Sequence, residues 1–199
     1  MTTQASGTPH AAALQEANPG LDIRVRISPQ ETGKNLWRNC DRNLREWWRQ
    51  NRETVTQESV LFLEFDVFCN VALGPRIPPL AKGCGIAAAA IVTPVARRCS
   101  YWPFEDLLRL PRPMLGLACA TAPLAVLQVS RKALDAILSP EYDALFAADI
   151  FCELRLPTAI RHAGFGVAEI RLPDVGCIPV TPTHPGIWHP VKLPFSFRS

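Results

Sequence analysis

Two acidic residues lie one position apart within an apolar segment, Leu-Phe-Leu-Glu-Phe-Asp-Val-Phe-Cys, at residues 61–69. The segment is rich in residues that favour β-strands, and side chains alternate between the two faces of a strand. Glu64 and Asp66 are therefore predicted to point to the same side. Two carboxylates in one small volume raise one another's pKa or bind a cation, and their oxygens suit Mg2+ or Mn2+. The alternative is a strand end whose acids reach solvent or an arginine.

A further acid, Glu153, lies in the segment 149–158, where charged residues interrupt an apolar frame just before a predicted helix. Burial raises the pKa of a carboxyl group toward the range in which it can take a proton from a hydroxyl. Glu153 is therefore a candidate general base. The alternative is an ion pair with Arg155 or Arg161 that fixes the loop.

A histidine near the C-terminus, His189, lies between Trp188 and Pro190, and Lys192 follows closely. Because proline stiffens the loop, the imidazole and the ammonium group could both face an anion or its metal ion. A lone histidine is more often structural, so both interpretations stay open.

A helix predicted at about residues 36–53 carries an apolar stripe on one side and a row of arginines on the other. The arginines are most simply interpreted as a solvated face that neighbouring glutamates partly neutralise. Trp37, Asn39 and Asp41 lie near the start of this helix, where N–H groups and polar side chains can bind a nucleotide or its phosphates. Core packing by Trp37 and capping by Asn39 are the alternatives.

Strands and helices alternate along the chain, as is typical of an α/β domain. The predicted strands cover residues 21–27, 60–68, 85–92 and 124–129. Besides the helix at 36–53, helices are predicted at 131–138, with Ser130 as its cap, and from about residue 149 or 157 to Gly164. Residues 101–104 form a loop or short helix, and the chain beyond residue 173 is predicted to be mostly loop.

Composition limits the class of protein. With 199 residues, 48% of them hydrophobic, the chain suits one domain, at 21–199, preceded by a loose, disordered tail at 1–20 without the features of a signal peptide. Seven cysteines without a Cys-x-x-Cys motif indicate reduced thiols in a cytoplasmic protein. The apolar stretches at 83–92 and 114–129 are shorter than the roughly 20 residues of a transmembrane helix. The net charge of +3 gives no argument for a nucleic-acid partner.

Taken in order along the chain, these residues resemble bacterial nucleotide-sugar-dependent glycosyltransferases of the GT-A-like kind. The resemblance runs from about residue 36 to 192 and rests on the polar helix start, the Glu-Phe-Asp motif, the segment Glu-Leu-Arg-Leu-Pro-Thr and the segment His-Pro-Val-Lys. It implies a GT-A-like (Rossmann-like) mixed sheet flanked by helices. Because only about one strand and one helix precede Glu64, the fold would be abbreviated at the N-terminus. The family usually has Asp-x-Asp where this chain has Glu-Phe-Asp.

The resemblance implies transfer of a sugar from a nucleoside diphosphate sugar to an acceptor hydroxyl, with Mn2+ or Mg2+ bridging the diphosphate. It makes Asp66 and His189 the metal ligands and Glu153 the base that activates the acceptor. The residues implied in donor binding are Trp37, Asn39, Asp41, Glu64 and Lys192, with Glu64 binding either metal or ribose and Lys192 contacting phosphate.

Two other classes of function compete with this one. A noncatalytic binding protein that kept the fold would not need a metal ion at Asp66 and His189. A metal-dependent phosphoesterase would use acids and a histidine to activate water, although such hydrolases commonly carry more histidine and aspartate ligands. A nucleic-acid partner, which would depend on the row of arginines alone, is not expected.

Overall fold

The computed structural model describes residues 8–24, 38–94 and 102–191. In chain order, its helices and strands are α1 (Thr8–Ala17), α2 (Cys40–Asn51), β1 (Ser59–Leu63), β2 (Phe68–Cys69), β3 (Cys84–Ala88), β4 (Ile91–Val92), β5 (Ala120–Thr121), β6 (Val126–Ser130), α3 (Arg131–Ala136), α4 (Asp143–Ala147), α5 (Cys152–His162), β7 (Gly166–Glu169) and β8 (Ile187–Trp188). Short 3-10 helices cover Trp102–Arg109, Arg112–Leu117 and Pro140–Tyr142.

A four-stranded mixed sheet lies at the centre of the protein, with the strand order β1-β6-β3-β7. β6 runs antiparallel to both β1 and β3, and β3 runs parallel to β7. Helices α3 and α5 contact the sheet, and α2 contacts α5 in turn. Leu127 of β6 and Leu154 and Ile160 of α5 are fully buried in the core between them. The predicted α/β class, a mixed sheet flanked by helices, is confirmed.

The predicted helices and their end signals are close to those in the structure. Ser130 caps α3, because its hydroxyl accepts a hydrogen bond from the Ala133 backbone N–H at 3.1 Å. Gly164 follows α5 with a φ of +89°, a conformation that glycine adopts without steric cost. Among the described residues, no helix has the length and apolar character needed to cross a membrane.

The predicted strands differ more from the observed ones. The acidic strand expected at 60–68 ends at Leu63, and the chain turns before β2 begins at Phe68. The strand expected at 21–27 is not formed at residues 21–24, and residues 25–27 lie outside the described part. The segment expected as one strand at 85–92 is divided into β3 and β4.

Helix α1 lies within residues 1–20, the segment that was expected to be a loose tail. The helix contacts β2, and its His10 ring is buried against Phe68 at a centroid distance of 5.8 Å. Asn18, just after the helix, hydrogen-bonds the Val71 carbonyl at 3.0 Å and the Leu73 N–H at 2.8 Å. These polar anchors hold the helix to the protein together with Ala13 and Leu14, which pack against buried apolar residues.

The arginine row of α2 divides into two groups. Arg49 and Arg52 are exposed, as expected for a solvated face. Arg45 is buried, and its guanidinium donates to the Ile137 carbonyl at 2.8 Å and to Asp143 at 2.6 Å. The solvated-face interpretation therefore fails for Arg45, which joins α2 to the chain around α3 and α4.

Candidate metal centre

Glu64 and Asp66 lie in the turn between β1 and β2, not on a strand. The Glu64 N–H donates to the Ala125 carbonyl at 2.9 Å, and the Val67 N–H donates to the Glu64 carbonyl at 3.1 Å, which closes the turn. The predicted alternation of side chains along one strand is therefore wrong for these residues. The turn nevertheless brings their two carboxylates together.

The C-terminal part of the described chain brings His189 to this turn. β8 pairs with β2 in an antiparallel ladder in which Phe68 lies opposite Trp188. The Val191 N–H donates to the Asp66 carbonyl at 2.8 Å. Since these bonds flank His189 on both sides, its ring is held above the two acids.

Three side chains form one cluster, which we call the carboxylate–histidine cluster: Glu64, Asp66 and His189. One ligand atom from each lies within 4.8 Å of the other two. His189 Nε2 is 3.4 Å from Asp66 Oδ1 and 3.7 Å from Glu64 Oε2. Their side chains are between 8% and 16% exposed, so the cluster is mostly shielded from water.

The tautomer of His189 follows from its other ring nitrogen. Nδ1 lies 2.7 Å from the Gly176 carbonyl oxygen. Because a carbonyl only accepts, Nδ1 carries the hydrogen, and in the neutral ring Nε2 directs its lone pair toward the two carboxylates. A histidine fixed in this way by a backbone carbonyl is the usual arrangement of an imidazole metal ligand.

The electrostatics of the cluster favour an added cation. Burial, and then the neighbouring Asp66 charge, raise the pKa of Glu64 above its usual range. Burial acts to lower the pKa of His189, but the hydrogen bond and charge of Asp66 outweigh it, so the pKa of His189 is raised. When both carboxylates are ionised and His189 is protonated, the cluster holds one more negative than positive charge. Two carboxylate oxygens and one imidazole nitrogen are donors that fit Mn2+ or Mg2+.

Asn39 and Asp41 lie at another place, although both were predicted to bind nucleotide. Asp41 accepts two hydrogen bonds from the guanidinium of Arg155, at 2.7 and 2.5 Å, and both side chains are fully buried. The side-chain amide oxygen of Asn39 accepts a hydrogen bond from the same guanidinium at 3.3 Å, and the side chain makes no capping bond to α2. We call this group the arginine–aspartate cluster. Its polar atoms face Arg155, so they are engaged within the protein.

Glu153 lies in the first turn of α5 and is 7% exposed. Its Oε1 accepts a hydrogen bond from the Leu124 N–H at 3.1 Å. Leu124 directly precedes Ala125, whose carbonyl accepts from the Glu64 N–H, so Glu153 is anchored to the turn before β6 that also binds the acidic turn. Glu153 is not one of the residues whose ligand atoms all lie within 4.8 Å of one another. Trp37 and Lys192 lie outside the described residues.

Two thiols lie near the acidic turn. The Sγ atoms of Cys40 and Cys152 are 3.4 Å apart, and both residues are buried. Burial raises the pKa of Cys40 well above its usual range and that of Cys152 to about 11. Thiols with such pKa values are protonated at neutral pH and are poor nucleophiles. Their use as small core residues, which the sequence predicted, fits these surroundings.

A cavity of about 420 Å³ adjoins the carboxylate–histidine cluster and includes Glu64 in its wall. The other walls come from α1, from residues 20–24, from α2 and from the whole length of β1. Its lining is largely apolar, and the polar residues in it include His10, Gln57 and Ser59. No sequence pattern indicated His10 as a functional residue, because the segment around it has the composition of a tail.

Comparisons with protein-family models, with curated proteins and with solved structures found no match to this chain. What the site can do therefore has to be inferred from its own geometry and from the residues that form it.

Proposed function

We propose that this chain is a metal-dependent glycosyltransferase of the GT-A-like kind, which moves a sugar from a nucleoside diphosphate sugar to an acceptor hydroxyl. The observation that carries the proposal is the carboxylate–histidine cluster. The sequence resemblance implied Asp66 and His189 as metal ligands and Glu64 as a donor or metal contact, and these three side chains lie together. His189 comes from a part of the sequence distant from the two acids, so its proximity to them does not follow from chain connectivity.

The cation would be held by Asp66 Oδ1, His189 Nε2 and Glu64 Oε2. When bound, Mn2+ or Mg2+ supplies positive charge that stabilises the leaving diphosphate. The protein contributes a preset geometry: the Gly176 carbonyl fixes the His189 ring, and the Val191 N–H fixes the backbone of Asp66. Three protein ligands would leave room in the coordination shell for oxygen atoms of the sugar donor's diphosphate.

The cavity beside Glu64 is the proposed site of the donor's nucleoside. Its volume lies within the range of roughly 300–1,000 Å³ that is usual for small-molecule sites. Trp47 offers an aromatic surface, and Gln57 and Ser59 offer polar groups. A nucleoside in this cavity would have its diphosphate close to Glu64, which is shared by the cavity and the cluster. The contacts implied for Trp37 and Lys192 stay predictions.

Glu153 is the proposed base. It would accept the proton of the acceptor hydroxyl as that oxygen forms its bond to the sugar carbon, while the bond from sugar to diphosphate breaks. The Leu124 N–H holds one of its carboxylate oxygens, which orients the side chain. Because Glu153 does not line the cavity, the proposed acceptor site would lie outside it.

Calorimetric titration with UDP and with GDP, each with and without Mn2+, tests the proposal. We expect binding that requires Mn2+, that is lost in Asp66→Asn and that is kept in Asp143→Asn, a control outside the cluster. With a bound nucleotide identified, product analysis with the matching sugar nucleotide should show a transferred sugar. Nucleotide binding that is independent of Mn2+ and of Asp66, as in a noncatalytic binding protein, would contradict the proposal. Hydrolysis of the sugar nucleotide by water, without transfer to an acceptor, would favour a phosphoesterase.

A further inference from the structure

We infer, on the basis of the proposed metal-dependent function, that His10 is a positioning residue for the carboxylate–histidine cluster and that α1 is part of the metal centre. His10 Nδ1 lies 3.0 Å from the carbonyl oxygen of Phe65. Phe65 is the residue between the two acids, so this hydrogen bond reaches the turn at its midpoint. Since a carbonyl only accepts, Nδ1 donates.

The His10 ring is well placed to hold the turn. It is 5% exposed and packs edge-on against Phe68, with the two ring planes at 69°. The ring is therefore fixed from one side by the β2 side chain and from the other by its hydrogen bond. A donor on a rigid ring restrains the peptide between Phe65 and Asp66, and this peptide leads directly into the Cα atom that carries the Asp66 side chain.

The far end of α1 is attached separately. Asn18 bonds to the backbone of Val71 and Leu73, after β2, and not to the acidic turn. Helix α1 therefore has two polar anchors with different consequences. Only the His10 anchor bears directly on the metal ligands, whereas the Asn18 anchor holds the helix as a whole.

His10 also links the cluster to the adjoining cavity. The wall that α1 contributes includes His10, Ala11 and Leu14, and the same cavity is bounded by Glu64 and Phe65. The residue that holds the acidic turn thus lies next to the space proposed for the nucleoside. Groups that orient metal ligands in this way typically change metal affinity on the order of 10- to 100-fold when they are removed.

Titration with Mn2+ alone, followed by calorimetry and by the loss of the free Mn2+ EPR signal, tests the inference in the full chain. We expect His10→Ala to weaken Mn2+ binding on the order of 10- to 100-fold. His10→Asn should restore affinity to within about threefold of the wild type, because the asparagine amide nitrogen occupies the place of Nδ1. Asn18→Ala should lower the unfolding temperature yet keep the Mn2+ affinity within about threefold.

Wild-type affinity in His10→Ala would overturn the inference, as would an Asn18→Ala variant that loses as much affinity as His10→Ala. If His10→Ala does not fold, His10→Gln replaces it, since the longer amide donates near the position of Nε2 and should not rescue binding. If the wild-type protein does not bind Mn2+, the proposed metal-dependent function itself is overturned. If the wild-type protein and His10→Ala bind Mn2+ equally well, only the inference about His10 is overturned.

Discussion

The arginine–aspartate cluster and the carboxylate–histidine cluster both bury carboxylates, but they differ in what neutralises the charge. Asp41 has the full positive charge of Arg155 and a two-point hydrogen bond to it. Glu64 and Asp66 share one imidazole, which lies 3.7 and 3.4 Å away. The first cluster is electrostatically complete within the protein. The second, with both carboxylates ionised, would gain from a further cation.

The difference in counter-charge distinguishes a carboxylate that stabilises the fold from one that is suited to bind a ligand. Burial alone does not make this distinction. A buried carboxylate that pairs with an arginine is costly to disturb, because either partner left alone is an unpaired buried charge. Two carboxylates held close to each other oppose folding and gain from any cation that joins them. The same substitution, acid to amide, should therefore have opposite effects in the two clusters.

The largest effect is expected for Asp41→Asn. The change leaves the fully buried Arg155 without its counter-charge, so we expect the free energy of unfolding to fall by about 3–5 kcal/mol. Urea denaturation followed by circular dichroism measures it. Glu46→Gln, which affects an exposed pair with Arg49, is the control and should cost less than about 1 kcal/mol. Equal losses of unfolding free energy in Asp41→Asn and Glu46→Gln would contradict the structural role assigned to the buried pair.

A smaller effect of opposite sign is expected for Glu64→Gln. Burial and the Asp66 charge raise the pKa of Glu64, so its ionised form opposes folding at pH 7. The neutral amide should stabilise the metal-free protein by less than about 1 kcal/mol, measured by the same denaturation in EDTA. Mn2+ should then stabilise this variant less than it does the wild type, for which a concentration of 100 times Kd adds about 2.7 kcal/mol. A metal-free variant less stable than the wild type would contradict this prediction, because it would show that groups of the protein already neutralise the Glu64 charge.

The smallest effect is expected for Asn39→Ala. The side-chain oxygen of Asn39 accepts a hydrogen bond, 3.3 Å long, from a guanidinium that Asp41 already holds, so stability should fall by only about 0.5 kcal/mol. Because Asn39 faces Arg155, the affinity for UDP or GDP should not change, as calorimetry would show. A loss of nucleotide affinity of tenfold or more would assign Asn39 to the donor site after all.

The sequence predicted well where local patterns determine structure. Ser130 before an apolar-patterned segment and Gly164 after another correctly indicated the start of α3 and the end of α5, because caps act through neighbouring residues. The acidic motif was located correctly, but its conformation was not. Apolar residues on both sides of Glu64 suggested a continuous strand, whereas hydrogen bonds with Ala125 and within the turn end β1 at Leu63.

Contacts between residues that are far apart in the chain could not be predicted from the sequence. Asn39 and Arg155 are 116 positions apart, and nothing in either segment indicates the other as its partner. The expectation that Asp41 binds nucleotide came from its place at a helix start, and its long-range ion pair with Arg155 had no signal in the sequence. Helix α1 was missed for a related reason: its anchors, His10 and Asn18, act on residues about fifty positions further along the chain.

The pairing of β2 with β8 has a consequence for how two distant parts of the chain stay together. This ladder spans two residues on each strand, and the bond from the Val191 N–H to the Asp66 carbonyl holds the segment beyond His189. A cation shared by His189 and the acidic turn would act there as a removable cross-link, closing a loop that contains most of the described chain. Release of the ion would free the C-terminal segment to detach first, so protease sensitivity near residue 189 would report directly on occupancy of the site.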